Sequence, residues 1–349
     1  MKVLYAVQGT GNGHLARART LVPIIARYAE VDVLVSGSQV EIDLGFPIAY
    51  KFHGLGFVFG KNGGVSIPQT LRSIKLLHLI KDWRTINLNN YDFIINDFEP
   101  IVAWKSKWGN KPCLGFSHQR AVLHPKAPRT AKKDLLGEFI LKHYAPTKAG
   151  IGFHFTAYDA HTQTPIVRDE IRTLKPEKRG HYTVYLPAYS SETLVEILQQ
   201  IPAEWQVFSK HNKTEERHAN VWVRPVNSEA FVESMRTADG VLCGAGFETP
   251  AEALFWNKKL MVIPMANQYE QQLNAESLRE LGVPVLETLD HSAIPYIQSW
   301  ITEEAPIDVS FPDNAEQAVK ELMRLAIAQK AQHIKRKAPS KSRLSRNAF

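Results

Sequence analysis

Apolar and polar positions fall into two kinds of block along this chain. Short apolar runs at Lys2–Gln8, Val31–Ser36, Tyr91–Asp97, Pro112–Ser117, Tyr182–Leu186 and Gly240–Cys243 have the length and composition of strands buried in a parallel sheet. Longer stretches with apolar residues every third or fourth position, at about 15–28, after Ser191 to about Gln200, and from Asp313 to Lys330, predict helices. Strand, turn and helix follow in that order near the start and again after residue 182, so a doubly wound α/β architecture is expected. The periodicity fades over residues 151–178, where Thr162–Ile166 and Leu174–Gly180 read as connectors. This predicts a first domain over 1–157, a second over 158–329 and a basic, disordered tail over 330–349. A chain of 349 residues, 44% hydrophobic, is long enough to bury a core in each domain.

Two turns in the second half carry candidate chemistry. The strand ending at Cys243 runs into Gly244, Ala245 and Gly246 and then into a predicted helix. Thr249 is placed to cap that helix, Pro250 suits its first position, and Glu252 completes a Thr-x-x-Glu capping box. Such a start presents free N–H groups and the positive end of the helix dipole, an anion site in form, although the capping box alone needs no ligand. After the strand Leu260–Ile263, the residues Glu270, Gln271 and Asn274 offer carboxylate and amide groups suited to sugar hydroxyls.

Taken together, Gly244-x-Gly246-x-x-Thr249-x-x-Glu252-Ala253 and Glu270-Gln271-x-x-Asn274-Ala275 resemble the donor half of the nucleotide-sugar glycosyltransferases, most closely the MurG-type enzymes of family 28. The resemblance spans most of residues 1–325 and weakens toward the N-terminus. It implies the GT-B fold, two Rossmann-like domains facing across a cleft. It implies further that Gly244, Ala245, Gly246, Phe247 and Thr249 hold the donor diphosphate, that Glu252 bonds the ribose, and that Glu270, Gln271 and Asn274 read the sugar. Arg224–Ser228 stands where relatives hold the nucleotide base through backbone groups, which selects Val226. The turn after Leu186 lacks the relatives' glycines and leaves Ser190 as a phosphate contact.

The N-terminal glycine turn, Gly9 to His14, is not a dinucleotide fingerprint: His14 stands at the third glycine position, and the second strand ends in Ser36 where an acid would hold a ribose. By the same resemblance this loop lies on the acceptor side, with Gly11, Asn12 and Gly13 lining it and His14 as general base. Imidazole titrates near working pH, as that role requires, while packing at a helix start would also explain the residue. Asp97 and Glu99 follow a strand at the sheet edge where α/β folds place ligands. Asp97 is expected to orient His14, and Glu99 and His118 to lie on the acceptor side. An Asp-x-Glu metal motif is the rival reading, set aside because the donor signals sit in the second half and a helix start can stabilise a leaving diphosphate without metal.

Charge divides the chain. Residues 1–150 carry +10, residues 151–329 carry −10 and residues 330–349 carry +7, so the first half is drawn to anionic partners. Two basic, apolar stretches, 67–84 and 129–144, either pack on their own domain or lie on an anionic bilayer; Gly54–Gly64 reads as a mobile loop. No apolar run reaches membrane-spanning length and the start is a strand, which places the protein in the cytoplasm, with peripheral contact at the inner face of the membrane. Cys113 and Cys243 are expected as buried thiols, and nothing marks a specific nucleic-acid site. The expected activity is an inverting transfer from a UDP-sugar to a hydroxyl of a lipid-linked or cell-envelope glycan, with neither cofactor nor metal. A nucleotide-sugar epimerase of the same fold and a noncatalytic membrane or nucleic-acid binder are the alternatives.

Overall fold

The computed structural model describes residues 1–9, 12–37, 44–54 and 76–337. Its first half is a seven-stranded sheet made of β1 (Lys2–Gln8), β2 (Glu30–Ser36), β3 (Tyr50–Phe52), β4 (Phe93–Asp97), β5 (Cys113–Ser117), β6 (Ala149–Phe153) and β7 (Thr162–Gln163). The strand order is β3-β2-β1-β4-β5-β6-β7, and every pair is parallel. Helices α1 (Asn12–Ala26), α2 (Leu76–Thr85), α3 (Pro100–Trp108), α4 (His118–Val122) and α5 (Leu135–His143) connect these strands. The short α6 (Asp169–Thr173) leads to the second sheet.

That sheet contains β8 (His181–Tyr185), β9 (Glu204–Ser209), β10 (Glu216–His218), β11 (Val221–Pro225), β12 (Gly240–Gly244) and β13 (Lys259–Ile263), ordered β10-β11-β9-β8-β12-β13. Only the edge pair β10–β11 is antiparallel. Its helices are α7 (Ser191–Leu198), α8 (Ser228–Thr237), α9 (Glu248–Phe255), α10 (Tyr269–Glu280) and α11 (Ile294–Thr302). The apolar runs read from the sequence are the central strands, with Val3, Tyr5, Ile95, Leu114, Val241 and Val262 at or near zero exposure. Unbroken apolar runs produce this because both faces of a parallel sheet are covered.

Two expectations about the ends differ from what is found. The first sheet continues past residue 157, since β7 adds to β6 through Gly152 and Thr162. The last helix, α12 (Ala315–Lys337), begins in the second half yet returns to the first, where Glu316 meets Arg27 at 2.8 Å and Lys330 meets Asp92 at 2.6 Å. Residues 330–337 of the expected tail therefore continue a helix, and 338–349 lie outside the described residues. So do Gly11, residues 55–64 of the expected mobile loop and residues 67–75 of the first basic stretch. Both cysteines are buried, free thiols.

Candidate active site

In an open parallel sheet the crevice lies at the carboxyl ends of the two strands where the order reverses. In the first sheet that point falls between β1 and β4, beside Gly9 and Asp97; in the second it falls between β8 and β12, beside Gly244. Both glycine turns picked out by sequence thus occupy switch points.

His14 lies in the first turn of α1, and its Nδ1 is 2.8 Å from Oδ1 of Asp97, the fully buried last residue of β4. An ionised carboxylate only accepts, so Nδ1 carries the hydrogen and Nε2 keeps its lone pair. The amide nitrogen of Gln119 stands 3.3 Å from that Nε2 and donates 3.1 Å to Glu270 of the second domain. Arg17, one turn beyond His14 and itself buried, donates from Nη2 to Asp97 at 2.7 and 3.0 Å and from Nε at 3.2 Å. Tyr5 adds a hydroxyl at 3.3 Å. Burial alone would raise the Asp97 pKa, but Arg17 and His14 outweigh it and hold it below the usual carboxylate range. For His14, burial favours the neutral ring while Asp97 pulls harder the other way, and the pKa ends above the ordinary imidazole value. Phe98, at φ 58°, takes a left-handed conformation unusual for a bulky side chain, and its ring lies parallel to His14 at 6.3 Å.

Arg17 also crosses between the domains, reaching Oε1 of Glu248 at 2.5 Å. Glu248 opens α9, and its carboxylate rests against Gly13: a Cβ there would come within 2.6 Å of Oε2. The first amides of α9 have no carbonyl within the helix to bond. Beside them a Cβ on Gly246 would meet nothing within 4 Å, so the turn is open on that side.

Several sequence-selected residues are placed otherwise than expected. Helix α9 starts at Glu248 after Phe247 and has no side-chain cap, so Thr249 and Pro250 lie inside its first turn and no capping box forms. Glu252 is buried and gripped bidentately by Arg168 at 2.6 and 2.8 Å, which leaves its carboxylate committed rather than facing a ribose. Glu99 caps α3, accepting from Ile101 N at 3.0 Å and Val102 N at 2.6 Å, and burial pushes its pKa up to about 7. It is a structural carboxyl, not an acceptor contact. His118 is buried, with Nδ1 2.7 Å from the Phe153 carbonyl, Nε2 2.7 Å from Asn274 Oδ1, and the ring of Phe247 stacked on it at 3.8 Å. Asn274 completes that link by donating to Ala245 O at 3.1 Å; it joins the domains instead of facing a sugar. Gln271 Oε1 accepts from Met265 N at 3.0 Å, Ser190 caps α7 through Thr193 N at 3.3 Å, and Val226 N is held by Ser209 O at 3.2 Å. Asn12 and Gly13 open α1, and Glu270 remains half-buried beside Gln119. Arg17, Gln119, Arg168 and Glu248 went unnoticed in the sequence; Arg17 had a signal, its position one helical turn after His14. Among the described residues no three His, Cys, Asp or Glu side chains gather as a metal site.

The sequence profile described as Glycosyl transferase family 1 matches residues 1–302. The chain belongs to that family. This glycosyltransferase also shares its fold with solved GT-B enzymes. MurG of Acinetobacter baumannii superposes with a TM-score of 0.52 at 16% identity, covering 95% of each chain. The calicheamicin glycosyltransferase CalG4 gives 0.54 at 13% identity, over 97% of this chain and 99% of its own. LpCGTa, solved with UDP, gives 0.55 at 12% identity, over 96% and 97%. No protein of curated function matches the sequence. The transferase therefore has the GT-B architecture that the resemblance implied.

Proposed function

We propose that the transferase moves a sugar from a nucleoside diphosphate sugar, with UDP as the nucleotide, to a hydroxyl of a glycan or lipid-linked acceptor, inverting the anomeric centre. The observation that carries this reading is the His14–Asp97 pair, with its Nε2 face turned toward Gln119 and Glu270 of the opposite domain. Nε2 takes the proton of the acceptor hydroxyl while that oxygen bonds to the anomeric carbon; the bond to the diphosphate breaks and its electron pair leaves with the nucleotide. Imidazolium formed in this step is stabilised by Asp97, itself kept ionised by Arg17. The departing charge develops at the open amides of α9 beside Gly246, a helix start suited to an anion without a resident metal. A direct displacement by the acceptor on one face inverts the centre. The UDP bound by LpCGTa and the dTDP bound by VinC support a nucleotide donor.

The acceptor's lipid character draws support from α5 and α2. Leu135, Leu136 and Phe139 are 74%, 52% and 61% exposed beside Lys132, Lys133 and Lys142, and Leu76 and Leu77 are likewise exposed. Apolar faces flanked by lysines lie well on an anionic bilayer, which agrees with a peripheral position at the cytoplasmic face of the membrane. No helix among the described residues is long and apolar enough to cross one.

Thermal stabilisation by UDP-, dTDP- and GDP-sugars, followed by mass spectrometry of the incubated donor, tests the reading. Stabilisation by one UDP-sugar, with UDP released only when acceptor is supplied, is expected. No stabilisation by any nucleotide sugar would refute it, and an isomerised donor formed without acceptor would convert the assignment to an epimerase.

A further inference from the structure

A cavity of about 320 Å³ opens beside the dyad and is shared with it through Phe98 and Gln119. Its floor is a bare patch of the first sheet. Asn96, Gly115, Ser117 and Gly152 alternate with the apolar residues packed against α1, so they occupy the other face. Two of these four positions are glycine, and each is needed. A Cβ on Gly152 would strike Ala121 at 2.7 Å, and one on Gly115 would meet Thr147 Oγ1 at 2.6 Å and Arg120 Cδ at 3.3 Å. The missing side chains let α4 settle on the sheet and lay Arg120 across Gly115 along the cavity wall.

Arg120 makes no side-chain hydrogen bond or ion pair among the described residues, although it is half-buried. Burial holds its pKa below the usual value against the pull of Asp159. Asp159 is spent elsewhere: it pairs with His124 at 3.2 Å and accepts from His161 N at 2.8 Å. A guanidinium has five donors and no acceptor, and leaving them unmatched out of bulk water is costly. Lys142 lines the same cavity and so does Asp159, whose carboxylate is taken up by His124, so Arg120 and Lys142 are the cations left to meet an anion.

The neighbouring residue supplies a second, independent gap. Gln119 is 4% exposed, and its Oε1 is buried with no hydrogen-bond partner among the described residues. The orientation of the amide is fixed chemically, because both Glu270 and the lone pair of His14 Nε2 require a donor and so take the nitrogen. Gln119 lines the cavity, and its carbonyl oxygen is the atom left without a donor.

We infer that this cavity holds an acidic sugar of the acceptor, with its carboxylate or phosphate on Arg120 and a hydroxyl donated to Gln119 Oε1 next to His14. Because Gln119 and Arg120 line one cavity, the hydroxyl and the oxyanion belong to one sugar unit or to adjacent ones. The inference rests on the acceptor-side reading of His14 given above, and deepens it from a glycan to an acidic glycan.

Calorimetric titration of the full chain with glucuronate, glucose 6-phosphate and neutral methyl glucoside tests it, with UDP titrated separately. At least one acid is expected to bind more tightly than the neutral sugar. Arg120→Gln should weaken that acid by about tenfold to a hundredfold, as loss of a hydrogen bond to a charged group does, and Arg120→Lys by less. UDP binding should be unchanged in both variants. The stronger of the two acids identifies the oxyanion as carboxylate or phosphate. Equal affinity for acidic and neutral sugars, no binding of either acid, or acid binding unaltered in Arg120→Gln would overturn the inference. Acid binding without any UDP binding would leave the cavity assignment standing and refute the donor reading alone.

Discussion

Two buried carboxylates in this molecule are held by an arginine, and they differ in everything around that grip. Asp97 is bonded by Arg17 and Glu252 by Arg168, each through two nitrogens and each at or near zero exposure. Asp97 ends a strand at a switch point, has His14 as a further partner, and belongs to a chain of contacts that reaches Glu248 and Glu270 across the domains. Glu252 lies inside α9, and among the described residues no side chain but Arg168 is bonded to it. A buried ion pair is therefore weak evidence of chemistry; what distinguishes Asp97 is that part of its charge is directed onto a titratable group. The pKa shifts reflect this, with Asp97 held low and Glu252 raised because burial outweighs Arg168.

Substitution of each partner should break the comparison in different ways. The largest effect is expected from His14→Ala, with transfer slowed by about 10² to 10⁴-fold in a steady-state assay and thermal stability nearly unchanged. Asp97→Asn should damage both properties: an unfolding titration should show a loss of up to about 3–5 kcal/mol, because buried Arg17 loses its bidentate carboxylate and keeps only Glu248, and turnover should fall as well. Glu252→Gln should cost a similar amount of stability, yet leave turnover per folded molecule unchanged. Turnover lost in parallel with stability in Glu252→Gln would restore this residue to the donor site.

The pH profile sharpens the same contrast. A base must be neutral to accept a proton, and the folded pKa of His14 is raised, so kcat/KM should climb through a limb above the ordinary imidazole value and fade as pH drops below it. Asp97→Asn removes the carboxylate that raises it, so the limb should move to lower pH, while Glu252→Gln leaves it in place. The smallest effect concerns the surface. Leu136→Ser with Phe139→Ser should lower sedimentation with anionic vesicles, since each apolar side chain contributes up to about 1.5–3 kcal/mol when buried, without changing UDP binding.

Much of the fold was legible in the sequence because it is written locally. Unbroken apolar runs marked β1, β4, β5, β8 and β12, and glycine turns marked the two switch points. Of the side-chain geometry, the His14–Asp97 pairing was legible, one residue closing a glycine turn and the other ending a strand. Arg17–Glu248 and Gln119–Glu270 were not, because their partners stand 231 and 151 residues apart and no local pattern encodes the pairing. Glu252 was misread for a related reason. The Thr-x-x-Glu spacing is a local signal, but α9 starts at Glu248 and Arg168, 84 residues away, captures the carboxylate. Asn274 and His118 are polar groups of the type that contacts substrates, and tertiary packing turned them into a buried link between domains. Amphipathic spacing also foretold α12, but not that it crosses back to pair Lys330 with Asp92.

The central claim is that Asp97 fixes His14 as a base with Nε2 unprotonated. Nitrogen NMR of the His14 ring across pH, in wild type and Asp97→Asn, tests it without any substrate. The account predicts a neutral form protonated at Nδ1 and a pKa above 6.5 that falls in the variant. A neutral form protonated at Nε2, or a wild-type pKa at or below 6.5, would contradict it.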